Sequence, residues 1–369
     1  MLIVALTYSR LQETFGINDV VHRWFHSYLF DRIQYVRCGS TASATTRLVC
    51  GVPQGSVLGP VLFILYTVDL VSLVEGHDLG AHLYADDSQV YGSCQPAAVS
   101  ELTAAVSRCV QDIAGWMRTN RLQLNSDKTE VLWCATNRRQ HQLPSAPISI
   151  DGTPVDPVKF VRNLGIYVDA DLVMQTHVKR TVSRCFATLR QLRQIRRLVP
   201  SSTFQKLVIT LVVNRLDYGN AVLVGLPAYL VRRLQSVLNA AARLIFNLRS
   251  SDHITDALVS LHWLRIPERI QFKTAVLTFK VLHGTAPRYL GPLVRVADLP
   301  GRRALRSAGT DNLVVPRVRL STIGSRAFPV AGPRIWNSLP IEVTTSQSLS
   351  IFRRRLKTHL FKLSYPNIN

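Results

Sequence analysis

Asp86 and Asp87 stand side by side between two short runs of β-forming residues, His82-Leu83-Tyr84-Ala85 before them and Ser88-Gln89-Val90-Tyr91 after. This pattern predicts a hairpin with two carboxylates at its tip. Adjacent carboxylates repel each other, and a cation, usually a metal ion, makes them tolerable. A hard ion such as Mg²⁺ takes carboxylate oxygens together with phosphates and water. The chemistry on offer is therefore metal-assisted phosphoryl transfer, in which paired divalent ions activate a hydroxyl and hold a triphosphate. Asp86 is the candidate bridging ligand and Asp87 the supporting acid. An Asp-Asp pair standing alone is also an ordinary surface turn.

The elements that must hold this tip are legible from periodicity. Residues 18–30 have helical spacing, with Val20, Val21, Trp24, Phe25 and Leu29 on or near one face. Ile33 to Arg37 and Thr45 to Cys50 are β-prone around a Gly-Ser-Thr-Ala-Ser loop. Pro60 to Val74 reads as a buried helix with proline in its first turn, and Ala97 to Met117 as a second long helix. Val131 to Cys134, Ile148 to Ile150 and Phe160 to Val168 read as strands, with Asp151-Gly152 as a turn. The fold class expected is α+β, an antiparallel sheet backed by helices. It occupies residues 1–174.

Beyond residue 175 the pattern becomes helical. Val178, Val182, Cys185, Leu189 and Leu192 form one apolar stripe. The same helix, 176–198, carries Lys179, Arg180, Arg184, Arg190, Arg193, Arg196 and Arg197 and no acid. One side should pack and the other should meet phosphates. Further helices are expected at 202–216, 227–248 and 266–284, so that 175–285 forms an all-helical region. Residues 286–369 are dense in proline and arginine. They are expected to be a basic, partly irregular extension in which only short pieces, such as Arg334 to Trp336 and Phe352 to Phe361, order locally.

Charge follows the same division. Residues 1–174 carry 13 Lys+Arg and 16 Asp+Glu, whereas the whole chain carries 44 and 23, for a net charge of +21. The second half is thus a polycation, which suits a nucleic-acid grip; a basic face also serves solubility or membrane contact. Glycine and proline interrupt the longest apolar run, Val57 to Val68, so no transmembrane helix and no membrane partner are expected. Six cysteines, none in a Cys-x-x-Cys pair, argue against zinc knuckles and a disulfide framework. They point to a reducing, intracellular setting, nucleus and/or cytoplasm. His22 and His26, four apart, could share a metal, although a half-buried helix face explains them as well.

Taken together, the motifs resemble the reverse transcriptase domain of non-LTR (LINE-type) retrotransposons. Pro53-Gln54-Gly55-Ser56, followed by Gly59-Pro60, is similar to the family's motif B. Tyr84-Ala85-Asp86-Asp87 resembles motif C, and Leu124 to Glu130, containing Lys128, resembles motif D. Asn163-Leu164-Gly165-Ile166 resembles motif E. The resemblance implies that Gln54 and Gly55, with Pro53 and Tyr84, lie against the template and incoming nucleotide. It implies that Lys128 protonates the departing pyrophosphate, and that Leu164 and Gly165 support the primer. Each segment also has a plain reading: a strand-to-helix turn for 53–56, a solvated loop lysine for Lys128, a tight β turn for 163–166. Asn214 to Asn220, Asn239 to Ile245, Leu261 to Leu264, Arg326 to Phe328 and Ile335 to Pro340 resemble the thumb and post-thumb region of these elements. Trp263 and Trp336 read better as packing residues than as base-stacking platforms.

The implied activity is RNA-directed DNA polymerisation with Mg²⁺ as cofactor, on an RNA template with a DNA primer or target. The chain departs from the family at its start. Met1 to Ala5 fall on the flank of the strand that carries motif A, and they hold no acid. The motif A aspartate and the fingers are therefore expected to be missing, Mg²⁺ binding to be weak, and the chain alone to be inactive unless a partner supplies the missing part. The alternative is a non-enzymatic RNA- or DNA-binding protein derived from such an element.

Overall fold

The structure is a computed structural model that describes residues 2–48, 51–52, 55–299, 311–318 and 321–367. Pro53, Gln54, Cys50 and the Gly301-Arg302-Arg303 run lie outside the described residues. The chain divides into two compact units, one of residues 1–133 with 142–158 and one of residues 134–141 with 159–369. Residues 160–169, of which Phe160 to Val168 read as strand in the sequence, form a hairpin that belongs to the second of these units.

The first unit opens with helices α1 (Leu2–Glu13) and α2 (Asp19–Leu29). Residues 2–5, expected beside a strand, are the first turn of α1. Four short strands follow, β1 (Arg32–Gln34), β2 (Arg37–Cys38), β3 (Thr41–Ala42) and β4 (Thr46–Leu48). They pair as two nested hairpins, β1 with β4 and β2 with β3. Helices α3 (Leu58–Thr67) and α4 (Asp69–Glu75) lead into strands β5 (Gly80–Tyr84) and β6 (Asp87–Tyr91). Helix α5 (Val99–Thr119) and the hairpin of β7 (Ile148–Ile150) and β8 (Thr153–Val155) complete the unit.

Two small cores hold it. Leu70, Val74, Leu79, Cys109 and Ile113 are buried beneath the β5–β6 hairpin, and Leu11, Leu29 and Leu62 join α1, α2 and α3. Arg10 is the polar tie between them. It donates to the Tyr66 carbonyl and to Asn120 Oδ1 (2.8 Å), pairs with Asp69 at 3.1 Å, and lies over the Tyr66 and Trp116 rings. The segment Leu58–Glu75 is long and apolar enough to cross a membrane by length and composition, contrary to the expectation from sequence. Within it Leu62, Tyr66, Leu70 and Val74 are buried, but only 28% of the segment is, and Val61 and Ile64 are exposed. On α2 only Leu29 is buried; Val20, Val21 and Trp24 are exposed.

The expected single sheet is instead five separate antiparallel pairs among the described residues. Val131 to Cys134 makes no strand, only a one-residue bridge from Val131 to Pro157.

The second unit begins with the hairpin of β9 (Phe160–Asn163) and β10 (Ile166–Asp169). Helix α6 (Gln175–Ile195) follows, then α7 (Ser201–Val208), a π-helical turn (Ile209–Val213) and α8 (Asn214–Asp217). After these come α9 (Ala228–Phe246), α10 (Thr255–Ser260) and α11 (Ile266–Leu282). The chain ends in α12 (Ser321–Gly324), α13 (Phe328–Asn337), α14 (Ile341–Thr344) and α15 (Leu349–Ser364). The apolar stripe of α6 is buried as its spacing requires, with Val178, Cys185, Leu189 and Leu192 in the core alongside Leu230, Leu234, Val237 and Leu238 of α9.

The C-terminal region is more ordered than its composition suggests. Phe352, Leu356 and Leu360, spaced by four, form a fully buried stripe on α15 and pack with Phe279 and Trp336. Burying each such side chain contributes about 1.5–3 kcal/mol, and the Leu, Arg and Lys of α15 are themselves good helix formers. Trp336 Nε1 donates to the Asp311 carbonyl (2.9 Å), and the carbonyl of buried Trp263 accepts from Tyr365 (2.7 Å). Both tryptophans are packing residues.

Candidate nucleotidyl-transfer and nucleic-acid sites

The acid tip is built by strand alternation. In the β5–β6 register Ala81 pairs with Val90, Leu83 with Ser88 and Tyr84 with Asp87. Ala81, Leu83 and Val90 face the small core beneath. Alternation therefore turns His82, Tyr84, Asp87, Gln89 and Tyr91 to the outer face. Ala85 and Asp86 form the two-residue turn, and Ala85 takes a left-handed backbone (φ 53°). Tyr84, Asp86 and Asp87 are exposed. At the base of the hairpin a Cβ on Gly80 would sit 2.4 Å from the ring of exposed Tyr91, which would have to swing aside.

Two exposed carboxylates on a rigid tip fit a hard divalent ion that keeps water and phosphate in its shell, since Mg²⁺ is commonly bound through one or two carboxylates. Among the described residues no three metal-ligating side chains come together, so the pair would supply only part of a coordination sphere.

Gly55 has φ +81° and open space around it, a backbone that favours glycine. Ser56 Oγ accepts the Gly59 N–H (3.1 Å) at the start of α3. Lys128 ends a short 3₁₀ turn, Ser126–Lys128, where the Asn125 side chain accepts its backbone N–H (3.2 Å). Its ammonium is exposed, and among the described residues no ion pair joins it to Asp86 or Asp87. His22 stacks on Tyr8 (3.7 Å) and His26 on Phe30 (4.3 Å); these are aromatic packing partners.

In the second unit Leu164 and Gly165 form the β9–β10 turn with φ of 45° and 85°. The Tyr218 hydroxyl donates to the Leu164 carbonyl (2.6 Å). A side chain at Gly165 would press on the Tyr218 ring (3.2 Å), and one at Gly219 on Ile166 (2.5 Å). Two separate sequence motifs, 163–166 and 214–220, thus meet. Asp217 beside Tyr218 pairs with Arg269 of α11, which anchors that support in the helical core.

The basic face of α6 holds as a surface, with one exception. Lys179, Arg180, Arg184, Arg190 and Arg193 are exposed on it; α6 ends at Ile195, short of the expected 198, so that Arg197 is exposed beyond its end, while Arg196 turns inward and donates to the Leu244 (2.8 Å) and Ile245 (3.1 Å) carbonyls. Sequence reasoning missed Arg162 and Tyr167, which gather part of this face. Their signal was the alternation of β9 and β10, which sets both on the side facing α6.

Residues 8–168 match the family profile described as reverse transcriptase (RNA-dependent DNA polymerase). The chain is 27% identical over 282 residues to the probable RNA-directed DNA polymerase from transposon BS of Drosophila melanogaster, covering 69% of this chain and 30% of that protein. It is 27% identical over 235 residues to the probable RNA-directed DNA polymerase from transposon X-element of the same fly, covering 59% and 24%. It is 26% identical over 168 residues to the RNA-directed DNA polymerase from mobile element jockey of that species, covering 44% and 18%. The aligned region spans less than a third of the length of these curated relatives. No solved structure matches. The acid tip, Lys128 and the 164–165 turn lie inside the matched stretch; α6 lies beyond it.

Proposed function

We propose that this chain is the C-terminal part of the RNA-directed DNA polymerase of a non-LTR (LINE-type) retrotransposon, with a partial palm followed by a helical thumb and a basic C-terminal region. The observation that carries this reading is the two-carboxylate hairpin tip inside a stretch matching the reverse transcriptase profile. Asp86 and Asp87 would hold Mg²⁺, which when bound supplies activation of a primer hydroxyl and charge neutralisation on a triphosphate. Lys128 would hand a proton to the departing pyrophosphate. Pro53, Gln54, Gly55 and Tyr84 would border template and nucleotide, and Leu164 and Gly165 would support the primer.

The partners are RNA template and DNA primer or target, and the setting is the nucleus or cytoplasm. With only two carboxylates at the tip, the 369-residue chain is expected to bind Mg²⁺ weakly and not to extend a primer by itself. Among the described residues β5 and β6 pair only with each other. Their free edges, and apolar side chains such as Val57 (89% exposed) and Val20 (68%), suit cover by a further segment or partner.

The test is primer extension on a homopolymeric RNA template with Mg²⁺ or Mn²⁺, with and without a segment of fingers and motif A type fused ahead of Met1. Extension that needs the added segment and is abolished in Asp86→Ala supports the reading. Extension by the 369 residues alone, abolished by Asp86→Ala, would refute their expected inactivity. If neither form extends a primer, the polymerase reading falls.

The second reading is a non-enzymatic nucleic-acid-binding protein, favoured by the well-packed basic unit that follows the palm. Converting Arg190, Arg193 and Arg197 to Ala should weaken RNA and DNA binding. The salt dependence should flatten by about 0.7–0.9 log–log units for each phosphate no longer neutralised. Asp86→Ala should leave that slope alone.

A further inference from the structure

The β9–β10 register pairs Arg162 with Tyr167 and Phe160 with Asp169. Alternation sets all four on one face of the hairpin. From α6, Arg180 and Arg184 reach this face one helical turn apart. Arg180 Nη1 donates to the Tyr167 hydroxyl at 3.2 Å and Arg184 Nη2 to the same oxygen at 3.4 Å. The Arg180 guanidinium lies 4.4 Å from the centre of the Tyr167 ring and 5.1 Å from that of Phe160, and Arg162 lies 5.9 Å from the Tyr167 ring. Three cations thus share one aromatic anchor that is itself buried.

Among the described residues none of the three forms an ion pair. The carboxylate on the same hairpin face, Asp169, is buried, and its Oδ2 accepts the Thr176 N–H (3.0 Å) at the start of α6. Like charges gathered without a counter-charge repel one another, and an anion relieves that repulsion. Stacking on rings fixes guanidinium planes in advance, so little freedom is lost when they bind. Their remaining N–H donors match the oxygens of a phosphate.

We propose that Arg162, Arg180 and Arg184, gathered around Tyr167, form a binding site for a backbone phosphodiester of RNA or DNA. The site rests on the nucleic-acid reading above and assigns it a place. Tyr167 is the positioning residue: its oxygen accepts from two arginines and holds their forks in register. The hydrogen bond from Arg180 also holds the tyrosine hydroxyl below its ordinary titration range, as expected where cations crowd without an anion. Arg190 and Arg193, further along α6, and Arg197, just beyond its end, stack on no ring among the described residues and can follow the strand loosely.

The experiment is a salt titration of fluorescent single-stranded RNA and DNA oligonucleotides against the full chain. It compares wild type with R180Q/R184Q, Y167F and R353Q/R354Q, the last removing two exposed charges from α15. The double variant at the site should flatten the log–log slope by about 1.4–1.8 units, the value for two phosphates left without a cation. Y167F should keep the slope and lower affinity about two- to fivefold, the effect of one weakened hydrogen-bonding group. R353Q/R354Q should move the slope by less than about half a unit. Unchanged thermal unfolding of the variants assigns these changes to phosphate binding and not to misfolding. A wild-type chain that binds with a steep slope, unaltered in R180Q/R184Q, overturns the site and leaves the nucleic-acid reading standing. A folded wild-type chain that retains neither oligonucleotide at about 50 mM salt, where counterion release favours binding, overturns both. Retention on phosphatidylserine vesicles that depends on these arginines, without oligonucleotide binding, would assign them to a lipid headgroup and refute the proposal.

Discussion

The two units solve opposite problems. The first, residues 1–133 with 142–158, carries 9 Lys+Arg and 14 Asp+Glu and exposes a pair of acids on a hairpin resting on a small core. The second holds the other 35 basic and 9 acidic residues on a densely packed helical body. Among the described residues, the first unit's two clusters contain five and three buried apolar side chains, against 23 and nine in the second. A thin core leaves apolar side chains such as Val20, Trp24 and Val57 exposed. A thick core suits a platform that must carry like charges without coming apart, since self-repulsion weakens a compact state.

The contrast is most sharply broken in the C-terminal core. Trp336→Ala removes a ring stacked on Phe352 and the hydrogen bond to Asp311. It should cost about 3–5 kcal/mol, lowering the melting temperature of the second unit by roughly 6–20 °C. If residues 311–367 were a loose extension, calorimetry would instead show the main transition unmoved.

Arg10→Ala tests the first unit. It strips two hydrogen bonds to carbonyl oxygens and the ion pair with Asp69 from a side chain that is only 17% exposed. A destabilisation of about 2–3 kcal/mol is expected, in the range for hydrogen bonds to charged groups. Hydrogen exchange should show faster opening of α1, α3 and α5, with α9 and α11 unaffected.

The second unit should also carry a pH signature. His177 is buried, and its Nδ1 accepts the Tyr167 N–H (3.4 Å). Burial lowers its pKa, outweighing the pull of Asp169. The unfolded chain then binds the extra proton first, so stability is full above about pH 6.5 and falls as pH drops below it, by at most about 1.4 kcal/mol per pH unit. His177→Asn keeps an acceptor for the N–H and should flatten that limb of the denaturation profile. An unchanged profile would remove His177 from the account.

The smallest effect has the opposite sign. Leu164 is a bulky residue at φ 45° whose side chain is 41% exposed, while its backbone carbonyl does the bonding to Tyr218. Asparagine tolerates that backbone better, so Leu164→Asn should stabilise the unit by up to about 1 kcal/mol. If the exposed leucine serves the primer, the same variant should weaken primer–template binding. Gain of stability with no change in binding would leave Leu164 a turn residue and nothing more.

Much of this was legible in sequence because it depends on local period. The β5–β6 hairpin, α5, α6, α9 and α11 were readable from alternation or from a three-to-four spacing, whereas the Leu164-Gly165 turn was suggested by the resemblance, since Phe160 to Val168 read as strand. The acids at 86 and 87 announced a candidate metal-binding tip by type alone. What spacing could not tell was partnership. Strand-forming residues announce strands but not how many will pair, so one expected sheet became, among the described residues, five two-stranded pairs. Arginines look alike in a string. Arg196 turned inward to carbonyls, and Arg10 became a tie between helices. Arg326, whose Nη1 donates to the Leu172 carbonyl (2.7 Å) and Nε to the Val224 carbonyl (3.0 Å), fastened the C-terminal region to the helical core. The order of residues 311–318 and 321–367 is a tertiary decision too, made by Phe279, Trp336 and Phe352 finding one another across more than 70 positions of chain. The grouping of Arg162, Arg180 and Arg184 on Tyr167 belongs to the same class. Side-chain type and local period fix what each residue is able to do, but the free energy of burial and of hydrogen bonding is gained between segments far apart in sequence, and only the fold decides which segments meet.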